Sequence, residues 1–180
     1  CTEAENNWQA LVVTNLADNF SVGANLMMLL MEAMEGNWED IDMIVRAFQA
    51  ATSRLEHCAV PVVTAPAGLA LGGGCEVTMG GNAIRSAAEL YIGLVEFGAG
   101  VIPAGGGCLR LYQRNVAQLM DKRDLQPAFR KTFETIGMAK VATSAEEARE
   151  LGFLRPGDGW SMNRDHLVAA DRVEPHPVGV

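Results

Sequence analysis

The sequence predicts an α/β layered fold, and three features of its 180 residues carry that expectation. Ala10–Thr14 and Pro61–Ala65 are uninterrupted apolar runs rich in Val, the character of parallel strands covered on both faces. Segments with helical character lie between and after them. Glycine and proline punctuate the joints, and the strand–helix alternation that results is the α/β pattern.

Ala10–Thr14 is the first visible strand, and a loop holding Asn19, Ser21 and Gly23 follows it. Leu26–Met34 lacks Gly, Pro and β-branched residues, so it should be helical, and it is apolar nearly all round. Gly36 can end that helix, while Asn37 with Asp40 three positions on can cap the next in a box-like arrangement. Ile41, Ile44, Val45, Phe48 and Leu55 then share one face, giving an amphipathic helix to about His57 with its other face solvated. After the strand Pro61–Ala65, a Gly-rich turn runs into Gly72–Met79, read as the first turns of a buried helix. Short strands are expected around Ala83–Ser86 and Leu90–Ile92, then a loop from Gly98 to Gly107 and helices at about Cys108–Arg114 and Ala128–Met138. Ser144 with Glu147 forms a capping box opening Ala145–Leu151, and Gly152 stops it. There is no internal repeat and no linker. Residues 1–155 read as the core, and 156–180 as a C-terminal helix and tail, with Glu174–Val180 most tail-like.

Composition narrows the function. With 49% hydrophobic and 20% charged residues the chain has material for a core, and 14 Lys+Arg against 22 Asp+Glu give a net charge of −8. That balance, with no basic run, argues against nucleic-acid and membrane partners. The longest uncharged stretch, Cys58–Cys75, contains Pro61, Pro66, Gly68, Gly72, Gly73 and Gly74, so it is a poor membrane helix. The start, Cys1-Thr2-Glu3-Ala4, lacks the features of a signal peptide and reads as a cut end. Cys1, Cys58, Cys75 and Cys108 are widely spaced, which favours reduced thiols and a cytoplasmic setting. His57–Cys58 and His166–His176 match no ligand spacing, so no metal is expected.

The chemistry centres on Leu71-Gly72-Gly73-Gly74-Cys75-Glu76. Successive glycines let a ligand approach backbone N–H groups, and a helix starting there aims its unpaired N–H groups at a developing oxyanion. The string is neither a Walker A loop nor a dinucleotide fingerprint, because no Gly-Lys-Ser/Thr follows and Val77 stands three after Gly74. Taken alone, such a turn is better explained by packing. Glu76 adds a carboxylate to an otherwise apolar helix, where it either caps backbone N–H groups or does chemistry. Glu96, in Gly93-Leu94-Val95-Glu96-Phe97-Gly98, is a second carboxylate among apolar neighbours, and the pair suits acid/base work.

The ordered string Ala67–Glu76, then Glu96, then Gly100-Val101-Ile102-Pro103-Ala104-Gly105-Gly106-Gly107 with Arg110 resembles the signature of the enoyl-CoA hydratase (crotonase) family. The likeness reaches back to Ser21–Leu26 and forward to Thr143–Leu154, covering roughly residues 9–155, and looks closest to the hydratase-like portion of a bacterial multidomain 3-hydroxyacyl-CoA dehydrogenase. It implies the ClpP/crotonase-like ββα-superhelix fold, N-terminally incomplete because about fifty family residues before the first matched segment are lacking; the chain would be about two-thirds of a crotonase unit. It implies backbone N–H groups of Ala24 and Gly73 as the oxyanion hole for a thioester carbonyl. Glu76 and Glu96 would hold one water, one acting as base toward its attack on C3 and the other serving the proton that reaches C2. Val22, Gly23, Leu26, Gly72, Gly74 and Phe97 would contact substrate. No cofactor is implied beyond the coenzyme A of the acyl-CoA substrate. A homo-trimer or hexamer, and a dehydrogenase domain on the same parent chain, are the implied partners.

Other residues have plainer readings. Met27, Met28, Met31 and Met34 could line an acyl pocket, with core filling the better reading for at least half of that stretch. Cys75 reads as a small buried hydrophobe and Arg110 as an ion-pair partner. Asn25 stands where the family has Asp, which leaves it able to cap the next helix. The interval from Arg110 to Thr143 is longer than the family's, and Pro127 within it points to an extra helical excursion. The competing functions are a 3,2-enoyl-CoA isomerase, which needs one base, and a non-catalytic assembly module. A Clp-type serine peptidase is disfavoured because Ser53, Ser86 and Ser161 lack a Gly-x-Ser-x-Gly context.

Overall fold

A computed structural model describes residues 1–167, so the tail Glu174–Val180 and His176 lie outside the described residues. Four parallel strands form the larger sheet in the order β1 (Leu11–Thr14), β2 (Val62–Ala65), β4 (Ala83–Ala87) and β7 (Gly159–Ser161). Leu11 faces Val62, Val63 faces Ala83 and Arg85 faces Gly159 in register. A smaller sheet sets β3 (Gly68–Leu71) parallel to β5 (Leu90–Gly93), with β6 (Val141–Ala142) antiparallel on the far side of β5. Every residue of β2 is buried, as its apolar run demanded.

Among the described residues, seven helices accompany the sheets: α1 (Thr2–Asn7), α2 (Leu26–Glu35), α3 (Trp38–Glu56), α4 (Gly73–Met79), α5 (Gly107–Ala117), α6 (Gln126–Gly137) and α7 (Ala145–Leu151). The core forms where α4, α5 and α7 meet the strands, with Cys75, Leu90, Ile92, Leu94, Leu111, Phe153 and Leu154 fully buried. Thr64 and Thr78, also buried, are satisfied internally, Thr64 Oγ1 donating to the Thr78 carbonyl at 2.9 Å.

Several expectations hold, and the caps explain why. The Asn25 side chain accepts from the Met27 and Met28 N–H groups at the start of α2, and Gly36 ends it in the left-handed conformation. Ser144 Oγ accepts from the Glu147 N–H, while Glu147 reaches back to Thr143. Arg110 is an ion-pair partner, 2.9 Å from Glu56. Pro127 lies in the first turn of a helix, α6, in the interval between Arg110 and Thr143.

Others are corrected. The stretch read as a Gly-rich turn before Gly72 contains a strand, β3, which supplies the second sheet. Asn37 makes no cap bond to α3, because its amide donates instead to Glu32 and Glu35. The sheet continues past residue 155, since β7 pairs with β4, and within the described residues a 3-10 turn, Arg164–His166, follows. The amino-terminal residues form α1, pinned by the Glu5–Arg54 ion pair. The methionines of α2 do not fill the core: no residue of α2 is buried, and Met27, Met28, Met31 and Met34 are all exposed. Among the described residues, no helix is long and apolar enough to cross a membrane, and no cluster of three His, Cys, Asp or Glu side chains could hold a metal.

Phe153 has no exposed surface and packs where α7 turns back onto the core. Phe153→Ala should cost about 3–5 kcal/mol of unfolding free energy. Urea denaturation followed by far-UV circular dichroism checks this, with the loss appearing in the midpoint.

Candidate active site

The site is built where β3 ends and α4 begins. Gly72 caps α4 with a φ of +56°, a conformation that L side chains resist, so a glycine is needed for the chain to turn from strand into helix. A methyl group on Gly72 would stand 3.4 Å from Glu96 Oε1, an ordinary contact that places this carboxylate beside the turn. Gly23, at φ +89°, lies against the same turn, and a methyl there would lie 3.2 Å from the Gly73 nitrogen. The loop carrying Ala24 is thereby seated on the amino terminus of α4. Among the described residues neither the Ala24 nor the Gly73 N–H has a protein acceptor. Two unpaired donors at one helix start are what an oxyanion requires.

The Ala24 loop is itself anchored by Ser21, whose role sequence reasoning missed. Ser21 bridges to Ala70 as a one-residue strand on the edge of β3, its N–H donating to the Leu69 carbonyl at 2.9 Å. Its carbonyl accepts from the Leu71 N–H at 2.9 Å, and its hydroxyl accepts from the Gly23 N–H at 3.2 Å. Gly74 packs on this segment, since a methyl on it would meet the Ser21 carbonyl oxygen at 2.6 Å. Its place is in the packing beneath the loop.

Glu76 sits in the first turn of α4 and is 2% exposed. Its Oε1 accepts from the Gly107 N–H at 2.8 Å, across 31 residues of sequence. Methyl groups on Gly105 or Gly107 would come within 2.7 and 2.9 Å of its carboxylate oxygens, so the glycine loop wraps it at a distance no other residue permits. Burial raises the Glu76 carboxyl above the usual range; the Gly107 and Gly105 N–H groups and the Arg110 charge pull the other way. Glu96 opens a 3-10 turn, Glu96–Ala99. Burial, with the Glu76 charge as a smaller contribution, pushes its carboxyl up to about 7, against a hydrogen bond from its own N–H. Its Oε2 is buried without a hydrogen-bond partner among the described residues.

The glycine loop is held from α3 by residues the sequence did not single out. Gln49 donates to the Ala104 carbonyl at 2.8 Å and Thr52 to the Gly105 carbonyl at 2.6 Å, and Arg110 reaches Gly105 from the other side at 3.0 Å. The Phe48 ring lies between the two glycine segments, close to both Gly73 and Gly105. Thr52 is buried in α3, a placement that its sequence neighbours do not signal. Val22, Leu26 and Phe97 are exposed on the rim, at 63%, 49% and 55% of their surface, so nothing within the described residues fills the space a ligand would take beside them. Cys75 is fully buried, which raises its thiol far above the usual range and makes it a packing residue.

Comparisons with known proteins bear on the family and the fold. The profile of the enoyl-CoA hydratase/isomerase family matches residues 2–122. A Bacillus subtilis protein provisionally named 3-hydroxyacyl-CoA dehydrogenase is 46% identical over 166 residues, 92% of this chain and 21% of that protein. A Rickettsia felis protein, provisionally named a fatty acid oxidation complex trifunctional enzyme, is 34% identical over 114 residues, 63% of this chain and 16% of that one. The chain therefore spans about a fifth of the length of such relatives. The crystal structure of an enoyl-CoA hydratase from Polaromonas sp. JS666 superposes with a TM-score of 0.73 at 19% identity, covering 93% of this chain and 59% of the other. One from Bacillus anthracis gives 0.72 at 24%, covering 93% and 58%.

The Glu96 carboxyl gives a stability test. Because its folded value is about 7 against an ordinary 4.5, the folded state keeps a proton that the unfolded chain has lost between those values. Stability from this group is therefore full below about pH 4.5 and lost as pH rises through about 7. Glu96→Gln should abolish that share of the decline, so the variant gains on the parent between pH 5 and 8 and matches it near pH 4. Thermal melts across that range check this, and parallel curves for the two proteins would contradict it.

Proposed function

This chain belongs to the enoyl-CoA hydratase/isomerase family and has its crotonase fold, and from that premise we propose that it hydrates trans-2-enoyl-CoA thioesters to 3-hydroxyacyl-CoA in fatty-acid β-oxidation. The observation that carries the proposal is the pairing of two sequestered carboxylates, Glu76 and Glu96, at a helix start with two unpaired N–H groups. The Ala24 and Gly73 N–H groups receive the thioester oxygen and favour the enolate that develops as water adds. Val22, Gly23, Leu26, Gly72 and Phe97 shape the rim around the acyl group, and coenzyme A arrives as part of the substrate. The site asks for no further cofactor. Gly74 serves beneath it.

The two carboxylates divide the proton work by environment. Glu76 accepts from the Gly107 N–H, which favours its charged form, so it acts as the base toward the water attacking C3. Glu96, with a value of about 7 and an unpaired Oε2, carries the proton for C2. A hydratase needs both groups. An isomerase needs one base, and a single essential glutamate would be its mark.

The surrounding assembly belongs to the same reading. A dehydrogenase domain would share the parent chain, as the name of the Bacillus subtilis relative suggests. A trimer or hexamer would cover the exposed apolar faces of α2 and α6, among them Leu30, Met31, Phe129 and Phe133. A cytoplasmic place suits the four free cysteines.

Loss of crotonyl-CoA absorbance, measured on this chain and on a version extended at its amino terminus, tests the reaction. Glu76→Gln and Glu96→Gln should each lower kcat by roughly 10²–10⁴-fold with the fold intact. Near-normal hydration by the double variant would refute the mechanism, and conversion of 3-enoyl-CoA surviving in Glu96→Gln would turn the reading to isomerisation. Because Glu96 must be protonated to act, kcat should fall as pH rises through about 7. A limb of opposite sign would exchange the two roles.

A further inference from the structure

At the other end of α4 from Glu76 lies a cleft of about 580 Å³ whose charged lining is three arginines, Arg110, Arg114 and Arg155, against one acid, Glu56. Such a concentration of cations is out of keeping with a chain of net charge −8. Two of the three are matched. Glu56 pairs with Arg110 at 2.9 Å, and Asp158, its side chain 3% exposed, pairs with Arg155 at 3.1 Å. Arg114 is only 8% exposed and has no carboxylate partner among the described residues. Its guanidinium donates to the Phe153 and Met79 carbonyls, which satisfies two of its five N–H groups and cancels no charge. Burial, reinforced by the neighbouring Arg155 charge, lowers Arg114 to about 10.

A buried cation whose guanidinium touches no carboxylate, in a cleft whose one acid, Glu56, is already paired with Arg110, is an expensive arrangement even with the Asp158 charge nearby, and the simplest compensation is an anion that enters from solvent. The cleft has room for more than a bare ion, within the roughly 300–1,000 Å³ typical of small-molecule sites. Arginine forks match the planar, paired oxygens of phosphates and carboxylates. Gln113 and Gln118, both exposed on the α5 side of the cleft, add neutral amide donors at the rim. We propose that this cleft is a binding site for a small oxyanion-bearing molecule, a phosphate ester or a carboxylate, separate from the proposed catalytic site. Its anchor is Arg114, with Arg155 and Arg110 contributing long-range attraction.

Isothermal titration at constant ionic strength, with inorganic pyrophosphate in one arm and malonate in the other, tests the site. Saturable binding of either at one per chain is expected, and the tighter arm identifies the source of the oxyanion. Gln113→Glu puts a negative charge at the rim without touching the core, and should weaken that binding by about tenfold or more. Arg114→Met should abolish it. Should that variant fail to fold, Gln113→Glu alone decides. No saturable binding in either arm up to on the order of 10 mM, or binding indifferent to Gln113→Glu, overturns the proposal. Because Glu76→Gln and Glu96→Gln should bind pyrophosphate or malonate as the parent does, this outcome is independent of the hydration assay.

Discussion

The hydrogen bond from the Gly107 N–H to Glu76 Oε1 ties a helix start to a loop 31 residues away, and the rest of the site is arranged around it. A carboxylate at 2% exposure is costly unless its lone pairs are met, so the loop must come to it rather than pass by. Coming that close is a steric problem. A methyl on Gly105 or Gly107 would overlap the carboxylate, which is why the loop is glycine there. Glycine solves the contact and creates a second difficulty, because a flexible loop gives no fixed geometry.

The rigidity comes from α3. Phe48, Gln49, Thr52 and Glu56 recur at the spacing of one helical face, and each meets the glycine loop or the arginine that holds it. The Gly105 carbonyl accepts from Thr52 and from Arg110, so the residue beside Glu76 is held from both sides. On the other flank, Ser21 hydrogen-bonds along β3 and fixes the loop that carries Ala24. A site made of glycines and backbone N–H groups is thus made stiff by side chains that do not reach its centre.

What the sequence disclosed follows from which signals are local. The long apolar strands, the Asn25 and Ser144 caps and the two sequestered glutamates could be read because each depends on neighbours within a few residues. β3 was hidden because Gly-Leu-Ala-Leu has no β-branched residue, and β6 and β7, at two and three residues, are too short to show a period. Asn37 has the right residue type for a cap, and Glu32 and Glu35 at the end of α2 take its amide; the competition is between chain segments that a capping rule treats separately. The methionines of α2 show the limit most clearly. Apolar character all round a helix argues for burial, yet among the described residues nothing buries α2. The roles of Gln49 and Thr52 were equally invisible, since their partners are about fifty residues away.

The two glutamates illustrate how equal side chains come to do unequal work. Both are lifted by burial, and the charge on Glu76 lifts Glu96 further, so the first ionisation makes the second harder. The balance is tipped by the surroundings: Glu76 is favoured as an anion by the Gly107 and Gly105 N–H groups and the Arg110 charge, whereas Glu96 has its own N–H and an Oε2 that receives nothing among the described residues. The negative charge therefore settles on Glu76, and the proton stays with Glu96 up to about pH 7. Moving the glycine loop away would remove that bias before it disturbed either carboxyl group's position in sequence or sheet. The same contact that permits Glu76 to be buried is thus one that sets the electrostatics of the two carboxyl groups apart.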